Sequence, residues 1–167
     1  MRNLLGIILA LCVLIGVSGC QTGDGPAVGL VEGADPSPTV SAGAGILPAL
    51  VGTWRITLNQ SGGIMGMSRS IDVAVDGSIS VTDVRSGKTW NSTLTAERLQ
   101  GLEKIIAAAS YTQVRATAGC ADCFIFHLSV TSDTGQFEVE LNQIDLANSG
   151  LQPVFDFLLE EMSKAGK

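Results

Sequence analysis

The chain has 167 residues and a formal net charge of −6 at pH 7, from 10 Lys and Arg against 16 Asp and Glu. An acidic chain without a cluster of cations argues against nucleic-acid binding and against electrostatic adhesion to anionic lipid, since both require grouped Lys and Arg. Its length provides for one domain around one core.

Behind Arg2, residues 4–17 carry no charge, and Val17, Ser18, Gly19 and Cys20 close the apolar run. A basic start, an apolar centre and small residues before a cleavage point follow the order of a secretory signal. The run is shorter than the roughly 20 apolar residues that a membrane-spanning helix requires. Its last four residues resemble the processing site of bacterial lipoproteins. That resemblance implies a signal peptide over residues 1–19, acylation of Cys20, and a lipid-anchored, extracytoplasmic location at the cell membrane or outer membrane. The bilayer is then a partner through acylated Cys20, and two or more chains at about 0.8 kcal/mol per buried CH₂ hold a protein stably. Loss of residues 1–19 removes Arg2 alone among the charged side chains and leaves the chain more acidic still.

Residues 20–47 are rich in Gly, Ala, Ser, Thr and Pro, with no aromatic residue and no Lys or Arg. Such a segment buries too little apolar surface to offset its backbone entropy, so a disordered tether of about 30 Å is expected. The domain is placed at residues 48–167.

Within it, Trp54, Ile56 and Leu58 alternate with Arg55, Thr57 and Asn59, the period-2 pattern of a half-buried strand. Ile71, Val73 and Val75 repeat the pattern, Asp76 and Gly77 supply a two-residue hairpin turn, and Ile79 and Val81 resume it. Ser86 and Gly87 turn the chain into a fourth strand holding Trp90 and Leu94. Thr95 is a helix cap with Glu97 in the first turn, and Leu99, Leu102, Ile105, Ile106 and Ala109 draw a helical stripe. A second strand pair follows: Phe124, Phe126, Leu128 and Val130, a polar turn over 132–135, then Phe137, Val139 and Leu141. Pro153 suits a first helical turn, and Leu151, Val154, Phe155, Leu158, Leu159 and Met162 mark a closing helix. The expected fold is α+β: an antiparallel sheet of about five to six strands with two helices packed on one face.

Few residues invite chemistry. Cys120 and Cys123 form a C-x-x-C pair, open to a disulfide, a redox dithiol or half a zinc site. His127 is the lone histidine, so a closed zinc site lacks a ligand, and Phe124 opens a strand where a thioredoxin-type dithiol needs a helix. A small structural disulfide is the preferred reading. His127 reads as a half-exposed sheet residue, and Asp72, Asp76 and Asp83 as solvated carboxylates at turns and outward positions. No nucleophile elbow, P-loop or dinucleotide fingerprint occurs. No catalytic residue, metal or cofactor is expected, and the chain is read as a non-enzyme. The segment Gly62, Gly63, Ile64, Met65, Gly66 and Met67 differs in kind, because it places apolar side chains on a glycine-bent connection where polar ones are usual. It is either a hairpin whose methionines fold back into the core or an exposed tip that enters a partner's cleft.

Over roughly Trp54 to Met162 the chain resembles the emfourin family, small inhibitors of thermolysin-like zinc metalloproteases. The resemblance rests on four pieces in order. These are Ser61, Gly62, Gly63, Gly66 and Arg69; the 99–109 helix with Ser110 and Tyr111; Ala121, Asp122, Cys123, Phe124, Ile125, Phe126, His127 and Leu128; and Leu151, Pro153, Val154, Phe157 and Leu158. It implies a tethered protein-binding module that occludes a secreted metalloprotease with the 62–67 loop and needs no cofactor. Separately, Leu50, Val51, Gly52, Thr53 and Trp54 resemble the opening strand of lipocalin-like and META-type envelope lipoproteins. That likeness implies instead a binder of a small apolar ligand or a support of envelope assembly.

Overall fold

The computed structural model describes residues 45–115 and 120–165; the expected signal, Cys20 and most of the 20–47 segment lie outside the described residues. Six strands form: β1 (Arg55–Gly62), β2 (Met67–Ala74), β3 (Ser78–Asp83), β4 (Lys88–Thr93), β5 (Phe124–Ser132) and β6 (Gly135–Asn142). Among the described residues there are three helices, α1 (Ala96–Ala108), α2 (Gln143–Leu146) and α3 (Gln152–Lys164). None of these is long and apolar enough to cross a membrane. The strands make one antiparallel sheet in the order β4-β3-β2-β1-β5-β6, so the fold is α+β.

Register explains why the alternating residues form one core. Leu58 stands opposite Ile71 on one side and Leu128 on the other, and Ile56 stands between Val73 and Val130. Ile71 then faces Val81, and Leu128 faces Val139, so a single face is apolar across five strands. All of these side chains are buried, each contributing about 1.5–3 kcal/mol of transfer free energy. Leu102 and Ile106 of α1 and Val154, Phe155, Leu158 and Met162 of α3 belong to the same buried cluster. The reverse face carries polar residues on successive rungs: Ser70, Asn59 and His127 on one, and Asn91, Ser80, Asp72, Thr57 and Ser129 on another.

The helices begin and hold together for identifiable reasons. Thr95 caps α1, its hydroxyl accepting the Arg98 N–H at 3.4 Å. Arg98 then bonds Glu161 of α3 through Nε at 3.0 Å and through Nη2, and its guanidinium lies 4.3 Å from the centre of the Phe157 ring. Asn142 caps α2, accepting the Ile144 and Asp145 N–H groups at 2.8 Å each. Sequence periodicity could not announce a helix of four residues, but an Asn after a strand is an N-cap signal.

Three expectations are corrected. The β2–β3 connection spans three residues, 75–77, and not the two of Asp76 and Gly77; Gly77 donates to the Ala74 carbonyl at 2.9 Å, and Val75 is turned out to 42 % exposure. Leu94 lies just past β4, where its N–H donates to the Gly77 carbonyl at 2.9 Å. Contacts with the domain also occur before residue 48: Leu47 is buried, Ile46 bridges Ser110, and Tyr111 donates to the Gly45 carbonyl at 2.8 Å. Linker-like composition concealed this, since the strand-like contact depends on residues sixty positions downstream.

Candidate functional site

Antiparallel order brings the end of β1, the start of β2, the β3–β4 turn and the start of β5 to one end of the sheet. The β1–β2 connection, residues 63–66, projects there. Gly66 donates to the Gly63 carbonyl at 2.8 Å, closing a tight turn, and Gly63 donates to the Cys123 carbonyl at 3.2 Å, tying that turn to the lead-in of β5. Glycine is required at both supports. Gly62 has φ 90° and Gly63 φ 71°; a Cβ at Gly62 would stand 2.6 Å from the Cys123 carbonyl oxygen, and one at Gly63 would stand 2.6 Å from Cε1 of Phe124.

The side chains at the tip point outward. Ile64 is 89 % exposed and Met65 is 80 % exposed, whereas Met67 is half-buried at the start of β2. The two readings of this segment therefore divide: Ile64 and Met65 form an exposed tip, and Met67 turns partly back. Arg85, on the neighbouring 84–87 turn, donates from Nη1 to the Met65 carbonyl at 2.7 Å and to the Gly66 carbonyl at 3.2 Å. A cation thus braces the tip from beneath while its apolar side chains stay free.

The brace is itself held. The Asp83 carboxylate accepts the Ser86 N–H at 2.9 Å, Gly87 donates to the Asp83 carbonyl at 2.9 Å, and Val84 donates to the Ser68 carbonyl at 2.9 Å. Ser86, and to a lesser degree Arg69, holds the Asp83 carboxyl below the usual aspartate range. A depressed carboxyl pKa stabilises above the unfolded value and loses that contribution as pH falls through the folded one. Amide protection, taken relative to the intrinsic exchange rate at each pH, is therefore expected to fall in the 84–87 turn and the tip below about pH 4, before the core strands lose theirs. Equal protection of the turn at pH 3 and pH 7 would contradict this.

On one flank of the tip, Gly63, Ile64, Met65, Met67, Asp122 and Phe124 line an open recess of about 290 Å³. On the other flank a recess of about 430 Å³ runs past Met67, Arg69 and Arg85. Met65 stands between the two. Cys120 and Cys123 are at disulfide distance with Cα atoms 5.4 Å apart, so the short turn that presents Asp122 is closed covalently. Asp122 is exposed and is the carboxylate of this recess.

Other residues singled out in the sequence do not converge. Asp72 accepts the Thr57 hydroxyl at 2.7 Å on the polar sheet face, near Arg55 at 3.6 Å. Asp76 accepts the Ser78 N–H at 2.9 Å in the β2–β3 turn at the opposite end of the sheet, and Asp83 serves the Arg85 turn. His127 is half-buried on β5, in register between Asn59 and Glu140. Among the described residues, no group of three His, Cys, Asp or Glu side chains is placed to hold a metal ion. Sequence reasoning placed Phe124 in a strand and Asp122 and Phe124 within the emfourin resemblance, but assigned none of Arg85, Asp122 and Phe124 to the loop site. The place of Asp122 inside the C-x-x-C motif was a further signal; Arg85 had none.

Neither the comparison with protein-family models nor that with curated proteins returns a match.

Proposed function

We propose that this chain is a membrane-tethered, extracytoplasmic protein-binding module that inhibits a secreted thermolysin-like metalloprotease. The observation that carries the reading is an exposed Ile64–Met65 tip whose backbone is fixed by Arg85 and by the Gly63 bond to Cys123. Fixing a loop before binding lowers the entropy lost on association. A pre-set apolar tip suits an enzyme cleft built to accept apolar side chains. Asp122 adds a second element. A catalytic zinc keeps one coordination position open for water or substrate, and an inserted carboxylate is a competent ligand there. Beside two apolar anchors, Asp122 would displace the nucleophilic water while the tip fills the adjoining pocket. Both long helices would lie over the apolar sheet face, leaving the loop end unobstructed. The lipid on Cys20 would keep the inhibitor at the envelope that it protects.

The competing reading, a lipocalin-like or META-like binder of a small apolar ligand, requires an enclosed cavity. The linear strand order leaves β4 and β6 unpaired with each other, and Phe155, Ile56, Leu58 and Leu128 are fully buried in one filled core. These features favour the inhibitor.

The test titrates thermolysin-like proteases, including those of the same organism, with the chain and with Asp122→Asn. The parent is expected to inhibit. The variant should weaken inhibition by roughly 10- to 100-fold, the range for losing a charged ligand contact of about 1.5–3 kcal/mol. No inhibition of any enzyme by the parent would refute the proposal, and full inhibition by Asp122→Asn would remove the carboxylate from the mechanism.

A further inference from the structure

The two edges of the sheet are treated differently. β6 carries Glu138 and Glu140 along its outer strand, and its hairpin is bonded to the lead-in chain, Thr134 donating to the Ala49 carbonyl at 2.9 Å. Charge and cover are the usual protections of an edge strand. β4 has neither. It pairs one-to-one with β3 along its whole length without a bulge, contains no proline, and bears a single charge, Lys88, at its first residue. No other strand among the described residues lies on its outer side. Trp90, packed against the core and only partly buried, opens on a recess of about 440 Å³ between β4 and the end of α3.

Going beyond the proposed function, we infer that β4 pairs antiparallel with β4 of a second copy of this chain, joining the two sheets into one. The hydrogen-bond phase fixes the register. The Leu94 N–H reaches the Gly77 carbonyl, so even-numbered residues of β4 bond inward to β3, and Thr89, Asn91 and Thr93 present their N–H and C=O groups outward. A two-fold axis through Asn91 uses all three, for about six backbone hydrogen bonds, and sets Trp90 of each copy opposite the small Ser92 of the other. Lys88 falls opposite Leu94, and the two Lys88 residues stand about 20 Å apart, well beyond the roughly 8 Å screening length at physiological salt. The strand thus pairs with itself without setting like charges opposite each other and with the large Trp90 against the small Ser92, which favours a second copy over a foreign strand.

The experiment is sedimentation equilibrium of the full chain in density-matched detergent, with Asn91→Pro and Asn91→Lys. The first variant removes an outward N–H without touching the β3–β4 ladder, and the second sets like charges opposite each other on the two-fold axis. A concentration-dependent dimer is expected for the parent, with a dissociation constant raised roughly tenfold or more by each variant. Circular dichroism of the monomeric variants should match that of the parent. A parent that stays monomeric overturns the inference, as does a dimer that neither variant weakens. Protease inhibition, read at the other loops, is independent of either result.

Discussion

Changing Ile64 and Met65 together to serine is expected to weaken protease inhibition by roughly 100- to 1,000-fold while leaving the melting temperature nearly unchanged. Both side chains are exposed, at 89 % and 80 %, so neither supports the fold. Surface replacements of this kind shift stability by about 0.5 kcal/mol or less. On the proposed function the same side chains would become buried in a protease cleft, and burial of each is worth about 1.5–3 kcal/mol. Allowing for incomplete desolvation, the pair accounts for about 3–4 kcal/mol, which sets the fold-change. The backbone of the tip should survive the substitution, because Arg85 grips the carbonyls of Met65 and Gly66 and not their side chains. Measured inhibition constants and thermal melts of parent and variant check both halves. An unchanged inhibition constant would place the contact elsewhere on the surface, and a lowered melting temperature would mean that the tip folds back onto the domain.

How much of this arrangement was legible depended on the range of the interactions involved. The core strands were readable because a period-2 pattern is local: Ile56 and Leu58, Ile71 and Val73, and Phe137 to Leu141 each declare an inward face without knowledge of a partner. α1 and α3 were readable for the same reason, with Thr95 and Pro153 marking their starts. The loop 62–67 could be singled out as anomalous, but not resolved into an exposed Ile64–Met65 pair and a half-buried Met67. That division depends on Phe124 lying beneath Gly63, and Phe124 is sixty residues away. Arg85 was invisible for a related reason. A basic residue in a glycine turn is ordinary until strand order places that turn beside another. The buried Leu47 was hidden by composition, since its anchoring contacts are supplied by residues 110 and 111. What the sequence conveyed was face and periodicity; what it withheld was adjacency at the loop end, where the candidate site is assembled.

The opposite separation of effects is expected at Phe155. This ring is fully buried in α3 and meets the Phe126 ring edge-on, with centroids 5.5 Å apart and planes at 75°. Phe155→Ala is expected to cost about 3–5 kcal/mol, from lost transfer free energy and the cavity left behind. Against a total stability of about 5–15 kcal/mol, that lowers the melting temperature by roughly 10–20 °C. Phe126 in turn touches Phe124, with centroids 6.3 Å apart, and Phe124 lines the recess beside the tip, so a line of three rings joins α3 to the candidate site. The tip itself, however, is held by backbone bonds to Cys123 and Arg85 that do not pass through Phe155. Inhibition per folded molecule should therefore stay within about twofold of the parent, the range expected for sites that share no partner. Thermal melts and inhibition titrations at a temperature where the variant remains folded measure the two quantities separately. A larger loss of inhibition in the folded variant would show that the three rings transmit core packing to the tip, and the site would then have to be described as one cooperative unit with α3 rather than as a brace built on the sheet.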